Sequence, residues 1–450
     1  MAEPKLIAPV EVEKWAAMPT RTWFGHPRGL TILFLTDTWE QFSYYGMRAI
    51  LVYYMVERLG LHQQRASVVY GLYTAFVYFT PILGGVISDR WLGRDRAVLI
   101  GGSIMAAGHF MMAFEPLFYA ALATIATGNG LFLPSLPSQI NGLYAPDDPR
   151  RHLAYNYYYV GVNLGGFLAP LGVGTVGELY GWHWGFTLAG IGMLTGLTIY
   201  ICGRRYLPTD ASSGTAAERT QSDDDATSAA TRKRFTLLLG VAGIAVVFRV
   251  AYEQVGNTLP LWIEHTQRQI GSFVIPMTWF QSLNPLLIFV LTPAFVARWL
   301  QLARQGREPS ALRKMATGAW IVCSSYLMLA AVAAWYTAHG GAASWLWLVA
   351  FFVVMTAGEL FILPVGLGLF GRLAPPRYAA TSIALWFFAA FLGNLAAGAL
   401  GTLWSDLSPA GFFCLTASAA AVAATGLRCL DGSVRDACTR LPTAPYGELS

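Results

Sequence analysis

The residues able to do chemistry are concentrated in TDTWEQFSYYGMRAIL (36–51): two carboxylates (Asp37, Glu40), an amide (Gln41), paired tyrosines (Tyr44, Tyr45) and an arginine (Arg48). Counted from Asp37, the offsets of Glu40, Gln41, Tyr44 and Arg48 are 3, 4, 7 and 11. At about 3.6 residues per turn these side chains share one face of a helix. The segment lies inside an apolar run from Leu30 to Met55. An ionised side chain in a bilayer costs roughly 2.5–3.5 kcal/mol or more, so such groups face an interior path and mark function. The chemistry these residue types permit is the uptake and release of a proton and ion pairing with a charged solute. Two carboxylates this close in a low-dielectric setting both resist ionisation. At least one of the pair is expected to carry a proton at neutral pH when the path is empty. The competing reading is a neutral, structural Glu40 bonded to Gln41 or a tyrosine.

The elements that must hold this face are membrane helices. Of 450 residues, 55% are hydrophobic and only 12% charged, about half the charge of a soluble domain. The net charge of +5 is spread over short loops and is no nucleic-acid signature. The five cysteines form no CxxC pair, and the seven histidines show no ligand spacing. Neither a metal nor a cofactor is expected, and free thiols are. Residues 1–28 are polar and lack a short apolar core, so the first helix itself is expected to act as the targeting signal.

Segments of about 20 apolar residues can span a bilayer. Twelve are found, at 29–57, 66–88, 95–114, 117–142, 155–177, 183–203, 235–262, 273–299, 315–337, 343–370, 379–403 and 410–428. The expected organisation is an N-terminal segment (1–28), a six-helix bundle (29–205), a flexible polar linker (206–234), a second six-helix bundle (235–429) and a polar tail (430–450). Six plus six is the layout of transporters with a midplane site between two bundles. Arginines and lysines cluster in the loops at Arg90–Arg96, Arg150/Arg151, Arg204–Arg234, Arg298–Lys314 and Arg372/Arg377, all on one side. That side, with both termini, is expected to be cytoplasmic. Gly46, Pro134, Pro137, Pro260, Pro285 and Pro364 interrupt spans, as moving gates or as static kinks.

GGVISDRWLGRDRA (84–97) resembles the GxxxDRxGRR loop of the major facilitator superfamily. The resemblance implies close helix contact at Gly85, and Asp89 at a helix C-terminus paired with Arg94 or Arg96 as a conformational latch. Within that superfamily the chain resembles the proton-dependent oligopeptide transporters, from FGHPRGL (24–30) to the eleventh helix. The carriers are FGHPRGLTILFLTDTWEQFSYYGMRAIL, YFTPILGGVISDRWLGRDRA, YNYYYVGVNLGGFLAPLGVG, GWHWGF, AYEQVGNTL, FQSLNPLLI and GELFILPVGL. The implied fold is all-α, twelve transmembrane helices in two bundles.

The resemblance also has departures. The family's first-helix ExxER reads Asp37-Thr-Trp-Glu40-Gln41, which keeps both carboxylates and loses the arginine. The family's helix-four lysine stretch reads GNGLFLPSLPS (128–138), with Leu133 at the lysine and Ser135 at the asparagine. Both cations are lost together, as in a rewired site.

By resemblance, Asp37, Glu40 and Glu253 are the proton-coupling groups. Gln41, Tyr44, Tyr45, Arg48, Tyr73, Asn163, Asn284, Glu359 and Trp386 line the substrate site, with Arg48 for a peptide carboxylate and Glu359 for its amino group. Packing alone, or a local ion pair, remains the alternative for each. Arg249, one turn before Glu253, is its structural partner, a replacement cation for substrate, or cavity lining.

The function these expectations compose is proton-coupled import of di- and tripeptides by alternating access. The alternative keeps the fold but moves a peptide-like or cationic small molecule, with altered coupling or none. The partners expected are a small peptide and the bilayer of a bacterial inner membrane, with the protein a monomer. No nucleophile constellation or cofactor loop suggests an enzyme.

Overall fold

The computed structural model describes residues 22–23, 25–145, 148, 150–208, 229–374 and 379–439. Twelve long helices carry the fold: α1 (Arg28–Tyr53), α2 (Gln63–Ile87), α3 (Arg94–Met111), α4 (Phe118–Ser138), α5 (Arg150–Ala169), α6 (Trp182–Gly203), α7 (Ala229–Tyr252), α8 (Leu283–Arg304), α9 (Ala311–His339), α10 (Leu346–Leu360), α11 (Ala379–Gly401) and α12 (Pro409–Thr439). Short turns extend several of them: Thr175–Tyr180 after α5, Gln254–Asn257 and Leu259–Glu264 after α7, and Leu363–Leu373 after α10.

Ten spans are long and apolar enough to cross a membrane. The other two, α1 and α3, fall short through charge. The first carries Asp37, Glu40 and Arg48; the second opens on Arg94, Asp95 and Arg96. The protein is an all-helical, multi-pass membrane protein.

Three boundaries differ from the hydropathy pattern. Phe273 and Val274 do not open the eighth span. They pair with Gln269 and Ile270 in an antiparallel hairpin that turns at Gly271, φ +60°. Pro276 follows, and helical structure starts only at Met277. At α7 the helix begins at Ala229, so Arg232, Lys233 and Arg234 ride on its first turns. The middle of the expected linker, 209–228, lies outside the described residues, as do 1–21, Arg377 and 440–450. Finally, α12 continues past the apolar run to Thr439. Its Asp431 is buried and accepts hydrogen bonds from Ser310 and from Arg313 Nε, the latter at 2.8 Å, at the start of α9. Hydropathy registers only the stretch sized to lipid; an amphipathic continuation needs a tertiary partner to be recognised.

The first six helices and the last six meet along α2 and α11. A Cβ on Gly71 would stand 2.5 Å from Gly398 Cα, so the two backbones touch where neither carries a side chain. Among the described residues, the hydrogen bonds between the halves lie in the central cluster or away from the basic loops. Gln63 donates to Gly401 O (2.8 Å), Ser405 Oγ to Gln63 Oε1 (2.7 Å) and Tyr53 Oη to Pro260 O (3.1 Å). Glu178, beyond α5, accepts from the backbone N–H groups of Met277 and Thr278 (both 2.9 Å) and from the Thr278 hydroxyl (2.8 Å). The halves are thus sealed on the side with few cations.

On the basic side, the close helix contact falls at Gly84. A Cβ there would lie 1.9 Å from Gly130 O, against 3.7 Å between a Gly85 Cβ and Pro134. Asp89 is exposed, and among the described residues it pairs with neither Arg94 nor Arg96. Arg94 Nη1 instead donates to Ser138 O at the end of α4 (3.3 Å), and Asp95 pairs with Arg204 after α6. Outside the membrane, the Arg150 guanidinium lies 2.7 Å from Asp148 and holds its carboxyl below the usual range. Arg150 also donates to Gly25 O (3.1 Å), fastening the entry to α1.

Candidate functional site

Between the halves lies a cavity of about 570 Å³, lined by residues of α1, α2, α5, α7, α8, α10 and α11. Two of its walls are broken helices. The α7 helix stops at Glu253 and restarts in short turns, and α10 stops at Leu360, one residue past Glu359, resuming at Leu363-Pro364. Interrupted helices expose backbone and polar side chains at membrane depth, which is tolerated only where they are buried in protein or line a cavity.

The central ion cluster joins the halves. Arg48 Nη2 lies 2.6 Å from Glu253 Oε2, and Arg249 Nη1 lies 2.7 Å from Glu253 Oε1. Arg48 Nε also donates to Tyr70 Oη at 2.6 Å. The Arg249 guanidinium sits over the Tyr78 ring, 4.4 Å from its centre. One carboxylate thus serves two arginines, one from each half. Both arginines line the cavity, whereas Glu253 lies behind them.

A second polar group is gathered around Glu359. Tyr252 Oη donates to Glu359 Oε1 at 2.9 Å, and Asn284 Nδ2 donates to the other oxygen and to Thr356 Oγ1 at 3.1 Å. Asn284 precedes Pro285 in the first turn of α8, where backbone N–H groups have no partner within the helix.

The α1 carboxylates form a third group with different partners. The Tyr158 hydroxyl on α5 donates to Asp37 Oδ1, and Gln41 interacts with the same carboxylate. Asp37 Oδ2, Glu40 Oε2 and the Tyr73 hydroxyl are buried without a hydrogen-bond partner. Among the described residues, no arginine or lysine pairs with either carboxylate. Ser135 on α4 bonds to Ser88 instead (2.9 Å), and Leu133 beside it brings no charge.

Of the residues singled out from sequence, Tyr45, Arg48, Asn163, Asn284, Glu359 and Trp386 line the cavity. Gln41, Tyr44 and Tyr73 are buried on its flank, outside the lining. The Asn163 side chain is tied to Tyr159 O of its own helix (2.9 Å).

Tyr70, Tyr78, Tyr158 and Tyr252 were not singled out. The first two fall on α2 at offsets of −3 and +5 from Tyr73, and Tyr158 sits in an undifferentiated YNYYY run. Tyr252 carried one usable signal, its position next to Glu253 at the point where the helix breaks.

The model of the POT family matches residues 95–222 and 215–412. A di-/tripeptide transporter of Lactococcus lactis subsp. cremoris is 32% identical over 473 residues, covering 88% of this chain and 93% of that one. An uncharacterised transporter of Bacillus subtilis (strain 168) is 33% identical over 445 residues, covering 85% and 88%. Among solved structures, a peptide transporter in complex with sulfate superposes with a TM-score of 0.85 at 30% identity, covering 95% of this chain and 99% of the other. With its twelve helices and interior charged cavity, the chain belongs to the POT family of membrane transporters.

Proposed function

We propose that the protein imports di- and tripeptides together with protons, by alternating access of one cavity to the two sides of a bacterial inner membrane. The observation that carries this reading is the charge layout of the cavity: Arg48 and Arg249 face it from the central cluster, and Glu359 faces it from α10. A zwitterionic peptide presents the complementary pair, a carboxylate and an ammonium. Its carboxylate meets the Arg48 guanidinium, whose planar fork suits it, and its amino group meets Glu359. Aromatic walls such as Tyr45, Tyr78 and Trp386 accept varied side chains.

Arg48 belongs to the first half and Glu359 to the second, so bound substrate ties the halves together. Glu253, Asp37 and Glu40 take and release the proton. A proton on Glu253 removes the charge that holds Arg48 and leaves it for the substrate. Rocking of the two bundles, 29–205 against 235–429, then breaks the outer seal. The basic loops and both termini face the cytoplasm in this reading, with Gly85, Asp89 and Arg94 in the loop between α2 and α3, and one chain suffices.

A second reading is favoured by one observation, the absence of any ion pair at Asp37 and Glu40 among the described residues. Without those cations the first half is more negative, which suits a peptide-like or cationic solute with altered coupling or none.

The deciding experiment is dipeptide uptake into proteoliposomes containing the purified protein, with and without an inward proton gradient, and in counterflow. Accumulation against a concentration gradient only when protons are supplied is the expected result. Exchange without accumulation assigns a peptide site with lost coupling. No movement in either mode rejects peptides as the substrate.

A further inference from the structure

We propose that Arg249 is a second binding group for the substrate carboxylate, so that this end of the peptide is held by Arg48 and Arg249 together. The inference rests on the peptide reading above and goes further, because it assigns a substrate contact to α7.

The central cluster has more positive charge than negative. Each oxygen of Glu253 is engaged by a different arginine, at 2.6 and 2.7 Å. The arginine side chains are only 13% and 10% exposed. Two cations against one anion leave an excess positive charge in a poorly hydrated place, a costly arrangement until an anion arrives. The ring of Tyr78 beneath Arg249 offsets part of that cost, as the Tyr70 hydroxyl does for Arg48.

A guanidinium has five N–H donors; Arg249 spends Nη1 on Glu253 and also bonds with Tyr78, which leaves further donors. It lines the cavity with Arg48, whereas Glu253 does not. An anion entering the cavity therefore meets both guanidinium groups before it meets the carboxylate behind them.

The helices α7 and α11 also pack closely at this position. On α11, a Cβ at Gly393 would stand 2.5 Å from the Arg249 Cβ. The stem of Arg249 fits there only because residue 393 has no side chain. On α4, in contrast, Leu133 offers a carboxylate nothing. The second cation of the cavity has its seat on α7.

A carboxylate bridging Arg48 and Arg249 joins the first half to the second by itself. Its free charge should therefore dominate recognition, even relative to the amino group. Reconstituted protein is tested by competition against labelled dipeptide uptake, using Ala-Ala and its C-terminal amide as competitors. The wild type should favour the acid over the amide by about a hundredfold, as expected for charge-assisted bidentate contacts. R249Q should reduce that ratio by about tenfold or more, R249K by less, because an ammonium keeps the charge but not the fork. R249K, which keeps the charge and most of the stem, keeps the test available where R249Q does not fold.

An unchanged acid-to-amide ratio in R249Q and R249K, with both competitors weakened in parallel, overturns the proposal and makes Arg249 a brace for Glu253. Failure of both competitors against the wild type rejects the peptide reading and this inference together. Preference for the acid in the wild type with no dependence on Arg249 rejects the inference alone.

Discussion

Asp37 and Glu40 on α1 and Glu253 on α7 are equally buried, at 1%, 2% and 1% exposure, yet their surroundings differ in kind. The α1 pair has hydroxyl and amide neighbours, with one oxygen of each carboxylate left without a partner. Glu253 has both oxygens claimed by arginines. The difference teaches where each group can be discharged. A carboxylate held by two cations is linked to whatever else those cations bind, and in the proposed function that is the substrate. A carboxylate without a cation lacks that link. In the proposed function, coupling between proton and peptide would therefore have a direct structural route at Glu253 and only an indirect one at Asp37 and Glu40.

The largest effect expected from breaking this comparison comes from E253Q. Gradient-driven accumulation should vanish while counterflow of dipeptide persists, because the arginines stay and the titrating group goes. Persistence of full accumulation would place the coupling at α1 instead. R48A should also be severe: it removes the guanidinium that meets the substrate carboxylate in the proposed function, so uptake should fall by about two orders of magnitude, or about 3 kcal/mol, read as initial rate.

Next is E40Q, which sharpens the contrast. If the drive resides at Glu253, accumulation should fall by less than about tenfold, well short of the loss in E253Q; each tenfold is about 1.4 kcal/mol. Smaller again is Y158F, which removes the hydroxyl donor to Asp37. The net loss of one hydrogen bond is worth about 1 kcal/mol, visible as a lowered melting temperature in detergent.

The smallest effect is reserved for a control far from both clusters, D148N on the basic face. Arg150 lowers the Asp148 pKa, so its contribution is complete above the unfolded value and is lost as pH falls through the lower folded one. With Arg150 half open to solvent, that contribution should stay below about 1 kcal/mol. The melting temperatures of D148N and wild type should differ slightly at pH 7 and converge as pH falls through the lowered folded value.

Much of this was legible in the sequence. Twelve helices, the polar face of α1 and the i, i+4 pair of Arg249 with Glu253 follow from apolar run length and the helical repeat. The pairing of Arg48 with Glu253 does not, because 205 positions separate them and no local period relates them. Nor does periodicity divide the α1 face into its two parts. Arg48 reaches the cavity, and Asp37 and Glu40 stay behind it, because α5 supplies Tyr158 at one level and the break in α7 opens space at another. The shift from Gly85 to Gly84 has the same origin. Adjacent glycines are equivalent in composition, and only the path of α4 decides which of them is crowded.

Glu178 has a consequence for the other half of the transport cycle. Its carboxylate covers the first N–H groups of the turn that leads into α8, and it does so from the opposite half of the molecule. The two bodies therefore share a helix cap. When they part on that side, the amides of Met277 and Thr278 must exchange a fixed acceptor for water. In the alternating-access reading proposed above, opening on this side is also a local fraying event, and hydrogen exchange at those two amides would act as a clock for how often it occurs.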